Sequence, residues 1–309
     1  MNPTERLSEQ MAPQKCGPND LSEGIISYLE DNGIRIESFI AEGGFSNVYK
    51  AVSGHNEVAV KVIQLKEKQK NLRQEILENE VQISSAVKHE NIMRTNYVLE
   101  LKNDYLFIIS DFADGGDLIT ILDKNIELKE ELIMRWFSHI VKAVEYLHLS
   151  GIAHRDIKPD NVLIHKEVAK LSDFGYAKVC VDGNGKVVKT CDACGTLEYL
   201  SPEQIVCLLD DEPYDPFVAD CYSLGVLLFM LVEPDFPYQC SGESESDAVL
   251  ERLLYKQLKQ KWKLKGRYGT NQNVISLLRQ LLHPDVSARI TCFQILSHPW
   301  IKNFVQHSL

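Results

Sequence analysis

His154-Arg155-Asp156-Ile157-Lys158-Pro159-Asp160-Asn161 is the stretch on which the reading of this chain turns. Asp173-Phe174-Gly175 follows it, and Ser201-Pro202-Glu203 comes later. Just upstream, ELIMRWFSHIVKAVEYLHL has the 3.6-residue spacing of a buried helix. Downstream, VADCYSLGVLLFMLV is apolar nearly all round, as a helix in the middle of a lobe would be. Ahead of Gly115-Gly116 the pattern is different. IRIESFI, NVYKAV, EVAVKVIQL, YVLEL and YLFIIS read as short strands, with turn signals at His55-Asn56 and Lys102-Asn103-Asp104. Residues 66–87, apolar at Ile76, Val81, Ile83 and Val87, suit one amphipathic helix. The expected class is α+β: a small antiparallel-sheet lobe with one main helix, then a larger helical lobe, with a ligand cleft between them. Residues 34–113 form the first lobe and hinge, 114–304 the second, and 305–309 a tail. Residues 1–33 read as an extension, mobile or loosely docked. In it a short helix through SEGIISYLED is capped by Asp20 or Ser22 and ended by Asn32-Gly33.

Composition narrows the function. The chain has 309 residues, 44% hydrophobic and 25% charged, so a packed core is expected. A formal net charge of -11 disfavours nucleic-acid and anionic-membrane partners and suits basic peptides better. No run of 18 apolar residues suggests membrane insertion, and MNPTERLSEQ lacks a secretory apolar region. The expected location is intracellular, cytoplasmic or nuclear. Eight cysteines lie mostly in apolar segments, as buried thiols would. Cys191 and Cys194 form the one tight pair, and no second pair completes a zinc site, which leaves a loop pair or a reducible one.

Five short motifs fall in a fixed order. They are Ala41-Glu42-Gly43-Gly44-Phe45-Ser46-Asn47-Val48 between two strands, Val58-Ala59-Val60-Lys61 on the next, and the three stretches quoted above. Their order and spacing resemble the protein-kinase signature set, over about residues 36 to 304. The resemblance implies transfer of the γ-phosphate of ATP, with Mg²⁺, to protein hydroxyls. Phosphoryl transfer asks for positioning and charge neutralisation more than covalent chemistry. By resemblance, Lys61 reaches the α- and β-phosphates and Glu80 of the main helix holds it, with Glu78 as the alternative. Asp156 takes or orients the proton of the substrate hydroxyl. Asn161 and Asp173 are hard oxygen ligands of the kind Mg²⁺ prefers. Ile40, Ala41, Glu42, Gly43, Gly44, Phe45 and Ser46 lie over the nucleotide, Val48 and Ala59 cover adenine, and Leu163 lies beneath it. Ser110 is the gatekeeper, and Asp111 to Ala113 are the hinge that bonds adenine.

By the same resemblance, Lys158 marks the serine/threonine class, and Thr196 in CGTLEYLSPE matches the threonine that bridges this lysine and the catalytic aspartate. Glu203 and Arg289 match a family ion pair that braces the helical lobe, the alternative being a surface pair worth little. Asp117 and Asp160 match positions that recognise an arginine in basic substrates. Arg155 ordinarily pairs with a phosphothreonine. Here Asp192 stands two residues before Cys194, so an aspartate substitutes in part for phosphate, with Thr190 as the alternative phosphorylation site. The chain looks like the calmodulin-dependent-kinase group. YLHLSGIAHRDIKPDN resembles checkpoint kinases, and EPYDPFVADCYSLG resembles testis-specific serine kinases.

The sequence also departs from the family pattern. The loop keeps only Gly43 of its usual glycines, Tyr222 stands where a tryptophan is usual, and Ser84 and Thr95 fall at usually apolar spine positions. These departures favour low or conditional activity, a regulatory partner, or a pseudokinase scaffold. A small-molecule kinase is the remaining alternative, disfavoured by the complete segment from Asp173 to Glu203.

Overall fold

Alternation and turn chemistry place the first lobe. The computed structural model describes residues 21–43, 46–65, 70–102, 104–124, 126–240 and 246–306. Strands β1 (Ile34–Glu42), β2 (Ser46–Ser53), β3 (Asn56–Gln64), β4 (Thr95–Leu101) and β5 (Tyr105–Asp111) form one antiparallel sheet in the order β1-β2-β3-β5-β4. Val58, Val60 and Val62 alternate into the core, which sends Ala59 and Lys61 to the other face, toward the cleft. The β2–β3 turn is at Gly54-His55, one residue earlier than His55-Asn56, because Gly54 takes a positive φ of 63°.

The helix ahead of the sheet belongs to this core. Helix α1 (Glu23–Asp31) ends, as expected, at Asn32-Gly33, and Gly33 turns at a φ of 75°. Ile25 and Leu29 are buried with Ile34, Phe107 and Ile109, and the Tyr28 hydroxyl donates to the Glu100 carbonyl at 2.8 Å. Loose docking therefore does not hold for this segment. Its apolar stripe covers the back of the sheet, and Leu21 ahead of it packs against the same core. Ser22 sits at the N-cap, although its side chain makes no capping bond. Asp20, the alternative cap, lies outside the described residues, as do the rest of the extension to residue 20 and the tail residues 307–309.

Helix α2 (Lys70–Ala86) lies on the Lys61 side of the sheet, opposite α1, and carries Glu80. Its buried Ile83, with Val87 just beyond, joins the core of the second lobe rather than that of the sheet. That core surrounds α4 (Glu130–Leu149) and α6 (Pro216–Val232), which follow α3 (Leu118–Asp123) and α5 (Pro202–Asp210) in the chain. Helices α7 (Asp247–Leu258), α8 (Gln272–Leu281), α9 (Cys292–Leu296) and α10 (Pro299–Gln306) complete it. Gly225 lets α6 approach α8 closely: a Cβ there would lie 2.8 Å from the Leu281 Cβ. Two short ladders, β6 (Ile152–Ala153) with β9 (Lys178–Val179) and β7 (Val162–His165) with β8 (Val168–Leu171), flank the loop 154–161 and fix both its ends.

Candidate active site

The loop 154–161 is anchored by one buried carboxylate. Asp220, on the otherwise apolar α6, accepts the backbone N–H of His154 and of Arg155, both at 2.8 Å, and pairs with His148 Nε2 at 2.9 Å. Arg155 takes a positive φ of 69°, strain that these bonds hold in place. Gly195 is needed beside it. Its φ is 108°, and a Cβ would stand 3.0 Å from the Arg155 carbonyl. The His154 ring packs edge-on against Phe174, with centroids 5.4 Å apart, and its Nε2 donates to the Ser172 carbonyl at 3.1 Å. The sequence reading missed Asp220. Its signal was present, since a charge inside an apolar helix must be paired.

The four residues expected at the reacting centre, Asp156, Lys158, Asn161 and Thr196, meet. Asn161 Nδ2 donates to the Asp156 carbonyl and to Asp156 Oδ2, both at 2.8 Å. Lys158 Nζ lies 2.9 Å from Asp156 Oδ2 and donates to Thr196 Oγ1, also at 2.9 Å. The Asp156 carboxylate is thus held from two sides, and Thr196 ties it to the segment that follows Cys194. Because its amide N–H groups bond Asp156, Asn161 keeps its side-chain carbonyl as a hard oxygen donor. Asp173, at a φ of 61° with a half-exposed side chain, offers another. This donor set fits Mg²⁺.

A second cluster closes across the cleft. Lys61 Nζ is 2.7 Å from Glu80 Oε1 and 3.1 Å from Asp173 Oδ1. Burial opposes the ammonium, but the carboxylates of Asp173 and then Glu80 more than offset it and hold Lys61 above its ordinary range. Burial pushes Glu80 up against the pull of Lys61. At Asp173 burial also acts upward, yet Lys61 wins and draws it down. Glu80 is the lysine's partner among the described side chains; that of Glu78 lies outside them. Gly175 permits the crowding, since a Cβ there would sit 3.3 Å from Asp173 Oδ1.

Sheet register gathers the remaining cleft residues. Val48 faces Lys61 across β2–β3, and Ala59 faces Ser110 across β3–β5. Ile40, Ala41 and Glu42 are exposed at the end of β1, and Gly43 N–H closes the loop by donating to the Ser46 carbonyl at 2.6 Å. Gly44 and Phe45 lie outside the described residues. Asp111 to Ala113 leave β5 toward α3, and the Phe112 carbonyl accepts from His165 Nδ1 at 2.8 Å. Leu163 on β7 bridges Asp117 in an isolated pairing, which sets Asp117 beside the strand that follows Asp160. Asp160 is exposed, whereas Asp117 caps α3 by accepting Thr120 N–H at 2.7 Å.

Arg155 reaches the activation segment. It donates to Asp192 Oδ2 at 2.7 Å and to the Asp192 carbonyl. Thr190 Oγ1 accepts the Asp192 N–H at 3.1 Å, and Thr190 pairs with Tyr214 through its backbone. Cys191 is exposed and Cys194 buried, with its thiol pushed up to about 12 by burial; the two are not bonded to each other. Glu203 and Arg289 are not a surface pair. The Arg289 side chain is fully buried, forks onto both Glu203 oxygens, donates to the Val218 carbonyl, and lies 5.1 Å over the Tyr222 ring. Ser84 is buried and donates weakly into its own helix at the Val81 carbonyl, while α2 keeps its contact with Lys61.

These features define a phosphotransferase of the two-lobed type, and the chain belongs to the protein kinase family: the protein kinase domain model matches residues 34–301. It functions as an ATP-dependent serine/threonine protein kinase, of the calmodulin-dependent-kinase type. Among its relatives are testis-specific serine/threonine-protein kinase 2 of Mus musculus, 30% identical over 89% of this chain and 75% of that one. Testis-specific serine/threonine-protein kinase 3 of Homo sapiens is 29% identical over 89% of this chain and 98% of its own. CBL-interacting protein kinase 31 of Oryza sativa subsp. japonica is 32% identical over 85% of this chain, which spans about half that protein's length, 56%.

Proposed function

We propose that this chain is an active enzyme rather than a scaffold, and that it phosphorylates serine and threonine in basic protein segments. One observation carries the reading: the clusters Asp156–Lys158–Asn161–Thr196 and Lys61–Glu80–Asp173 are both closed in the same conformation. A degenerate scaffold has no need to hold either.

In this reading Asp156 orients the substrate hydroxyl and accepts its proton as the oxygen attacks the γ-phosphorus. The new O–P bond forms while the bond to the β-phosphate oxygen breaks, and ADP leaves with that electron pair. Lys158 neutralises charge on the transferred group, and Thr196 keeps it beside Asp156. Lys61, fixed by Glu80, positions the α- and β-phosphates. Asn161 and Asp173 would hold Mg²⁺, which neutralises phosphate charge when bound. Val48, Ala59 and Leu163 would enclose adenine against the hinge at Asp111 to Ala113. Asp160 and Asp117 favour a substrate arginine. Asp160 gives the exposed charge, and Asp117 contributes less because it also caps α3.

The protein substrates are thus basic, and nucleic acid is disfavoured as a partner by the acidic balance. Among the described residues no helix is long and apolar enough to cross a membrane. An intracellular setting, cytoplasmic or nuclear, fits the supply of ATP.

The test is transfer from labelled ATP to peptide libraries with serine, threonine or tyrosine as acceptor. Transfer to serine and threonine peptides with arginine before the acceptor supports the reading. Nucleotide binding without transfer to any peptide would make the chain a scaffold.

A further inference from the structure

A second set of chemically active side chains lies beneath the catalytic loop. His148 near the end of α4, Cys221 on α6 and Cys292 at the start of α9 bring their ligand atoms within 4.8 Å of one another. Cys221 Sγ and Cys292 Sγ are 3.9 Å apart, and Cys292 Sγ is 3.8 Å from His148 Nδ1. Both cysteines are buried, and neither is in a disulfide. Among the described residues no other trio of His, Cys, Asp or Glu comes together in this way. The transfer chemistry uses none of the three.

We propose that His148, Cys221 and Cys292 form a binding site for one zinc ion. The spacing fits. A tetrahedral centre of these three ligands and one water, with Zn–S of about 2.3 Å and Zn–N of about 2.05 Å, separates its sulfurs by about 3.8 Å and sulfur from nitrogen by about 3.6 Å, close to the 3.9 Å and 3.8 Å at Cys292, and Cys221 Sγ lies within 4.8 Å of the imidazole ligand atom. The donor set is also the right one, because thiolate and imidazole select zinc over the hard cations that suit Asn161 and Asp173.

Orientation supplies an independent argument. The imidazole turns Nδ1 toward the thiols while Nε2 faces Asp220 Oδ2 at 2.9 Å. A carboxylate behind the far nitrogen fixes the tautomer that leaves Nδ1 free to ligate, the usual outer support of a zinc-bound histidine. Binding expels the two thiol protons, so one Zn²⁺ with two thiolates and a neutral imidazole carries no net charge into the buried site.

The position gives the ion a consequence. It would join α4, α6 and α9, which are far apart in sequence, directly beside Asp220, the anchor of the Arg155 backbone. It therefore braces the helical lobe under the loop that carries Asp156.

The experiment uses the full chain, kept reduced, stripped with chelator, reloaded with Zn²⁺ under excess Mg²⁺ and desalted. The proposal expects about one zinc per chain, a higher melting temperature with zinc, and no zinc retained by Cys221→Ala or Cys292→Ala. Cys191→Ser, at an exposed thiol outside the trio, keeps the metal. Cobalt loading of the wild type adds a readout that needs no variant: a thiolate-to-cobalt charge-transfer band. A wild type that retains no more zinc than the cysteine variants and shows no such band overturns the proposal. So does loss of the metal in Cys191→Ser.

Discussion

Removing Asp192 tests how the activation segment is held without phosphate. The Arg155 side chain is 4% exposed and its partner carboxylate 62%, so the pair sits half in water. An exposed ion pair contributes about 0.2–1 kcal/mol, and a buried guanidinium moves this one to the upper end, about 1 kcal/mol. Asp192→Ala therefore shifts the balance between ordered and released segment by about fivefold. Loss is partial because Arg155 still donates to the Asp192 carbonyl, which also accepts from the Tyr214 hydroxyl at 3.1 Å. Thr190→Ala loses only the bond from Asp192 N–H and leaves the ion pair intact. The assay is kcat/KM on a basic peptide for dephosphorylated wild type, Asp192→Ala and Thr190→Ala, with salt varied. The expected order is wild type, then Thr190→Ala close behind, then Asp192→Ala several-fold lower, with the wild-type advantage shrinking in high salt. Abolished activity in Thr190→Ala with unchanged activity in Asp192→Ala would refute the argument and move the control of the segment to the Thr190 hydroxyl.

Other perturbations probe the frame. Arg289→Leu leaves the Glu203 carboxylate unpaired in a closed interior and should cost about 3–5 kcal/mol, read as a fall in melting temperature of roughly 5–15 °C. Leu29→Ala, in the helix that closes the back of the sheet, should destabilise by about 2–5 kcal/mol in urea melts; a loss below the noise would mean that α1 is not docked. His139, half-buried beside Lys142 and Arg135, is drawn from 6.5 down to about 4, chiefly by burial, while its Nδ1 accepts the Ala169 N–H. Between pH 6.5 and about 4 the unfolded chain binds a proton there that the folded chain does not, so stability falls as pH drops through that window. His139→Gln should flatten that slope, by at most about 1–2 kcal/mol after screening, in urea midpoints measured across it.

The strands and long helices were legible because periodicity carries them: EVAVKVIQL alternates, and ELIMRWFSHIVKAVEYLHL repeats every three to four residues. Fixed motif spacing likewise brought Lys61, Asp156, Asn161 and Asp173 into the reading. What stayed hidden were contacts between distant segments. The apolar stripe of SEGIISYLED does not say which surface it covers, so a docked helix looked like a loose extension. The resemblance paired Arg289 with Glu203 as a brace of the helical lobe, but only α5 and α6 closing over it show the arginine to be buried. Cysteine spacing located the pair at 191 and 194, which is not bonded, and passed over Cys221 and Cys292, which the fold brings together from 71 residues apart. Ser84 and Thr95 read as weakening the seat of α2, yet the Lys61–Glu80 pair is closed at 2.7 Å.

The most direct test of the central claim is single-turnover phosphate transfer to a serine peptide by wild type and Asp156→Asn, with nucleotide binding followed in parallel. The variant keeps the shape of the side chain and removes its basic carboxylate. Transfer by the wild type, slowed by about 10²-fold or more in the variant while nucleotide affinity holds, is the predicted result. Equal rates in the two proteins, or nucleotide binding without transfer in either, would contradict the account.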